Sequence, residues 1–122
     1  MSQPQENEVA HLQVEQIDSL VAAAGVDGAR EILDAFWRST TDLIEILSAQ
    51  VRQNALDLAA QTAHAVKGSA ANVGAQRLKK TAAQFEAACK RGDHDALENA
   101  LDAVREDFET VRAHFEDHLS KA

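Results

Sequence analysis

An all-α fold, an antiparallel four-helix bundle with a short additional N-terminal helix, is predicted by three observations on the sequence. The composition is helical: one Pro, five Gly and no Tyr among 122 residues, with Ala, Leu, Glu and Gln in abundance. Apolar residues recur three and four apart over long stretches and never alternate in the period-two blocks of strands. Gly, Asn and Asp stand where those stretches stop or start. The length suits one domain with one modest core. The expected organisation is a flexible lead-in over residues 1–9, including Pro4, and a helical bundle over residues 10–122.

Each element has its own signature. Leu12, Ile17, Leu20, Val21 and Ala24 keep helical spacing until Gly25, which predicts the short first helix. Asp27 is placed to cap a second helix whose Ile32, Leu33, Phe36, Trp37, Thr40, Leu43, Ile44, Leu47 and Val51 form one broad apolar stripe. An alanine-rich helix is predicted over residues 54–71, with Ala59, Ala63, Val66, Ala70 and then Val73 in i, i+3, i+4 rhythm before Asn72 and Gly74 offer turn chemistry. Its stripe is built of small side chains, so a neighbour can approach closely. Residues 75–91 follow, with Leu78, Ala82, Phe85 and Cys89 on one face and Gly92 as the stop. Asp93 caps the last helix, in which Leu97, Leu101, Val104, Phe108, Val111, Phe115 and Leu119 keep near-heptad spacing. Long amphipathic helices joined by short turns pack antiparallel.

Charge and cysteine content exclude several function classes. Twenty acidic against twelve basic side chains leave a formal charge of −8, which repels a phosphate backbone, so neither nucleic acid nor an anionic membrane is an expected partner. The lone Cys89 has no partner for an internal disulfide or a thiolate metal site, which fits a reducing cytoplasm. The first nine residues do not read as a secretory signal, and no stretch approaches a membrane span.

Because helix bundles host many activities, function must come from a site. The candidate is His64-Ala-Val-Lys67-Gly68-Ser69. On a helix the residues three and four after His64 share its face, so Lys67 and Gly68 lie beside the imidazole, away from the stripe of Ala63, Val66 and Ala70. His64 is thus expected to project into solvent, where a ring nitrogen can attack a phosphoryl group without disturbing the core. Gly68 costs its helix about 1 kcal/mol relative to alanine. A docking notch explains that cost: a side chain there would obstruct another protein reaching His64. Lys67 can offset the roughly two negative charges a phosphoryl group brings, and Ser69 can add a hydrogen bond.

The run from His64 to Ala75, with histidine, two residues, lysine, glycine, a small residue and a later glycine, resembles the signature of histidine-containing phosphotransfer (HPt) domains. The helical plan of residues 10–120 resembles that family as well. Val66 stands where the family often has leucine, and Ala70 and Ala71 where glycine or serine also occur. The resemblance implies that a Glu or Gln on the following helix contacts the histidine, a position held here by Glu86. A carboxylate accepting the Nδ1 proton would leave Nε2 to carry the phosphoryl group.

The resemblance further implies a carrier that moves a phosphoryl group between aspartates of receiver domains, those of response regulators and of a hybrid sensor histidine kinase. It implies no cofactor of the chain's own, with Mg²⁺ supplied by the receiver. No glycine-rich nucleotide loop is present, so no kinase activity is expected. The docking surface is expected around His64, at Ala60, Gln61, Lys67, Gly68, Ser69 and Ala71, with Leu12 or Leu20 of the first helix, and a monomer is the simplest working form. The alternatives are a helical adaptor that binds receivers without being phosphorylated and a structural bundle whose histidine is incidental. His114 and His118 stand at the i, i+4 spacing that can grip a metal ion, but neither His11 nor His94 completes a recognisable ligand set, and no metal is expected.

Overall fold

The two apolar stripes on either side of Gly25 join into one element, α1 (Val14–Arg52), bent where Gly25 takes φ 75° and ψ 171°. That region of backbone space is open essentially to glycine alone. The short N-terminal helix is therefore the arm of α1 ahead of the kink. The computed structural model describes residues 10–121, so the lead-in over residues 1–9 lies outside the described residues. After α1 come α2 (Leu56–Asn72), α3 (Gln76–Arg91) and α4 (His94–Ser120), and no strand occurs among the described residues.

The turns follow local chemistry, with one correction. Asn54 does not begin α2: it takes φ 56°, and its N–H bonds the Val51 carbonyl. A left-handed residue just beyond α1 satisfies that helix's last carbonyls, a role Asn accepts more readily than most side chains. Gly92 ends α3 in the left-handed conformation, and the Asp93 carboxylate caps α4 by accepting from the Ala96 N–H at 3.2 Å.

Cross-helix contacts set an antiparallel register. Thr62 of α2 donates to Gln50 of α1 at 2.8 Å. Arg30 reaches Glu116 and Arg105 reaches Ser48, so α1 and α4 run in opposite directions. Every apolar residue assigned to the stripes of α2, α3 and α4 is buried, Cys89 included. The stripe of α1 is narrower than its sequence suggests: Ile32 is 42% exposed. Leu33, Phe36, Trp37 and Thr40 take the inward direction, and a residue 100° round from Leu33 falls on the flank.

The segment before α1 is strapped over the α2–α3 turn. The Gln13 N–H donates to the Gly74 carbonyl at 2.8 Å, and the Gln76 amide donates to the Gln13 side chain at 2.6 Å. A Cβ at Gly74 would lie 2.8 Å from the Gln16 Cβ and 2.9 Å from the Gln13 carbonyl oxygen. Glycine is required here by that approach as well as by its φ of 75°.

At the strap's start the His11 ring stacks on His114, with centroids 5.0 Å apart and planes 16° apart. Burial, aided by the neighbouring charges of His114 and Arg77 and opposed by Asp107, holds the His11 imidazole below its ordinary value of 6.5. A base whose folded pKa is lowered favours folding above its unfolded pKa and loses that contribution as pH falls through the window between the two. Hydrogen-exchange protection of the strap is therefore expected to drop as pH falls below the ordinary histidine value of 6.5, and His11→Phe to flatten that dependence. An unchanged pH profile in the variant would count against this role for His11.

Candidate functional site

The small stripe of α2, with Ala59, Ala63, Val66 and Ala70 all buried, lets α3 pack close alongside. His64, one residue past Ala63, turns away from that stripe, and its side chain is 66% exposed. Across from it on α3, Glu86 follows the buried Phe85 and is only 12% exposed. The packing therefore presents a held carboxylate to an exposed imidazole.

Glu86 is the hub of the site. Its Oε1 lies 3.4 Å from His64 Nδ1 and 3.3 Å from Lys67 Nζ, while its Oε2 lies 3.1 Å from Lys90 Nζ. Burial pushes the Glu86 carboxyl up, but the bonds from Lys90, His64 and Lys67 outweigh it and hold the group below the usual carboxylate range. An ionised carboxylate can only accept, so in the neutral ring a proton on Nδ1 faces it and the Nε2 lone pair is left free. The arrangement can therefore present a nucleophilic nitrogen in a fixed tautomer.

The other sequence-selected residues divide. Gly68 is exposed, and a Cβ built on it meets nothing within 4 Å. No packing contact among the described residues explains this glycine. Gln61 and Ala71 are exposed and Ser69 is half-buried. Ala60, expected on the docking surface, is only 7% exposed. It stands three residues before Ala63 on the edge of the buried stripe and lines the floor of a cleft with Asp57, Gln61, His64, Glu86 and Lys90.

Leu12 and Leu20 pack half-buried against the core. The large exposed apolar side chains among the described residues are Val14, Ile32, Ile46 and Leu58. Leu58 shares a helical face with Gln61, Ala65 and Gly68 beside His64. Ile46, one turn before the Gln50 that bonds Thr62, flanks that face from α1.

Lys90 and Asp57 were not selected from the sequence. The i, i+4 pairing of Glu86 with Lys90 was the available signal for the lysine. Elsewhere, His118 Nε2 pairs with Asp18 at 2.8 Å while His114 faces His11. The two thus turn to different partners, and no group of three or more metal-ligating side chains gathers among the described residues. Cys89 is buried, and burial followed by the Glu86 charge pushes its thiol up, so it stays protonated and unreactive.

Comparison with known proteins finds relatives in sequence and in fold. The family model described as Hpt domain matches residues 31–114. Histidine-containing phosphotransfer protein 1 of rice, Oryza sativa subsp. japonica, is 31% identical over 106 residues, spanning 85% of this chain and 72% of the rice protein. Its namesake in Arabidopsis thaliana is 24% identical over 103 residues, 83% of this chain and 67% of that protein. The crystal structure of a rice histidine-containing phosphotransfer protein superposes with a TM-score of 0.80 at 29% identity, covering 91% of this chain and 81% of that one. Histidine-containing phosphotransfer protein B from Pseudomonas aeruginosa PAO1 shares the fold, with a TM-score of 0.83 at 23% identity over 93% of this chain and 98% of that one.

Proposed function

The chain belongs to the Hpt domain family, and from that membership we propose that it carries the phosphoryl group of a phosphorelay on Nε2 of His64. The observation that carries the assignment is the pairing of His64 Nδ1 with Glu86 on an otherwise exposed ring. Nε2 attacks the phosphorus of an acyl phosphate on a receiver aspartate. The N–P bond forms as the P–O bond to the carboxylate breaks, and the carboxylate leaves with the bonding electrons. The proton stays on Nδ1, and the positive charge gained by the ring faces Glu86. In onward transfer an aspartate of a second receiver attacks the same phosphorus and the imidazole leaves with the electron pair.

The partners we assign are receiver domains of response regulators and of a hybrid sensor kinase, docking over Leu58, Gln61, Ala65 and Gly68 with Ile46 at the rim. Positioning and charge neutralisation dominate phosphoryl transfer, and the Mg²⁺ for it belongs to the receiver. Alone, the chain is a carrier with no kinase activity. No helix among the described residues is long and apolar enough to cross a membrane, and we place the working monomer in the cytoplasm.

Incubation with a radiolabelled phospho-receiver tests this reading. Wild type is expected to acquire acid-labile, alkali-stable label and His64→Gln to acquire none. Equal label on both proteins would overturn the assignment of His64. Receiver binding without label on wild type would favour an adaptor.

A further inference from the structure

We propose that the strap ahead of α1 is a proton-operated latch: protonation of His11 lifts it from the C-terminal end of α2 and loosens the surface that a receiver meets beside His64. The effect on transfer rests on the reading of His64 as the phosphorylated residue, whereas the latch does not.

An orphaned atom makes the strap sensitive to protons. His11 Nδ1 is buried and has no hydrogen-bond partner among the described residues, while the ring lies face to face with His114. A neutral imidazole can leave that nitrogen as a bare lone pair, but an imidazolium carries an N–H on both nitrogens. The charged ring would hold a donor in a buried contact that offers no acceptor. Around it α3 contributes Arg77, and α4 contributes His114, Asp117, His118 and the buried Asp107. Burial outweighs the attraction of Asp107, and the charges of His114 and Arg77 add to the bias against a proton on His11.

The strap's other contacts connect this ring to the site helix. The Gln13 N–H bonds the Gly74 carbonyl at 2.8 Å, and the Gln16 amide bonds the Asn72 carbonyl at 3.2 Å. Asn72 is the last residue of α2, and the Gly74 N–H closes back on the Ala71 carbonyl at 3.3 Å. Ala71 is exposed one turn past Gly68 and two past His64, on the same helical face. Without the strap this last turn frays. His118 limits the opening, because its Nε2 holds Asp18 of α1 at 2.8 Å, a contact that a proton on His118 turns into an ion pair. The strap therefore lifts as far as Gln16 while α1 stays anchored at Asp18.

Two measurements on the full chain test the latch. In His64→Gln, where the site imidazole is gone, the backbone amide NMR signals of Gly74 and Ala71 should follow the titration of the His11 ring. The response should vanish when His11→Phe is added, a change that keeps an aromatic ring against His114. Transfer from a radiolabelled phospho-receiver is then compared between wild type and His11→Phe at each pH, so that titration of His64 and of the receiver cancels. The two should match above the ordinary histidine value of 6.5, and wild type should fall about fivefold behind well below it, the low end of couplings between separate sites. Silent Gly74 and Ala71 amides, a response that survives His11→Phe, or equal rates at every pH would each overturn the proposal. Label on neither protein would instead overturn the reading of His64, with the amide signals still deciding the latch.

Discussion

Gly68→Gln is expected to leave the bundle folded and slightly more stable while slowing phosphoryl transfer from a receiver about 100-fold, the cost of blocking the centre of an interface. The two effects have opposite signs because the glycine makes room for nothing among the described residues. It lies within α2, and a Cβ there meets open space. Removing the helical penalty of glycine is worth up to about 1 kcal/mol, which Gly68→Ala should show most cleanly as a raised melting temperature. A long side chain at the same point stands one turn beyond His64 on its exposed face, in the path of a receiver. Thermal unfolding and transfer rates at a fixed receiver concentration read the two effects separately. A destabilised Gly68→Ala would mean that the glycine is structural, and undiminished transfer by Gly68→Gln would mean that the receiver approaches from elsewhere.

Trp37→Ala is expected to produce the largest loss of stability, about 3–5 kcal/mol. Trp37 is 5% exposed and meets Phe36, Phe108 and Phe115 edge-on, with centroids 4.8, 5.4 and 5.2 Å away. The Arg112 guanidinium lies over its ring at 5.8 Å. These rings form the apolar seam between α1 and α4, and the polar links across it, Arg30 with Glu116, Arg105 with Ser48 and His118 with Asp18, lie toward the surface. Exposed polar contacts of that kind contribute little. Native domains hold only about 5–15 kcal/mol in total, so the variant should unfold at a much lower denaturant concentration. His64, Lys67, Glu86 and Lys90 all sit on α2 and α3, so the fraction that remains folded in the cold should transfer at close to the wild-type rate. A loss below about 1 kcal/mol would show that the cavity collapses without cost.

The separation of seam from site explains what could be read without coordinates. Each helix's inward face was legible because burial on a helix repeats every 3.6 residues, and the stripe of α2 assigned His64 to the opposite side before any neighbour was known. The caps at Gly92 and Asp93 were legible for a similar reason, since a helix end is satisfied by groups within a few residues. Asn54 departs from the sequence expectation because the same residue type that begins one helix can end the one before it in the left-handed conformation.

By itself the sequence determined the helical class, the exposed His64, the unexplained Gly68 and, through a family resemblance, Glu86 as the residue opposite. Tertiary structure alone decided that Ile32 stays outside while Leu12 and Leu20 pack on the core, that Ala60 is floor rather than surface, and that Lys90 joins the carboxylate of Glu86. The physical reason is that periodicity specifies a residue's direction about its own helix axis. What that direction meets depends on the register and spacing of neighbouring helices, which the packed small side chains of α2 and the aromatic seam of α1 and α4 set together.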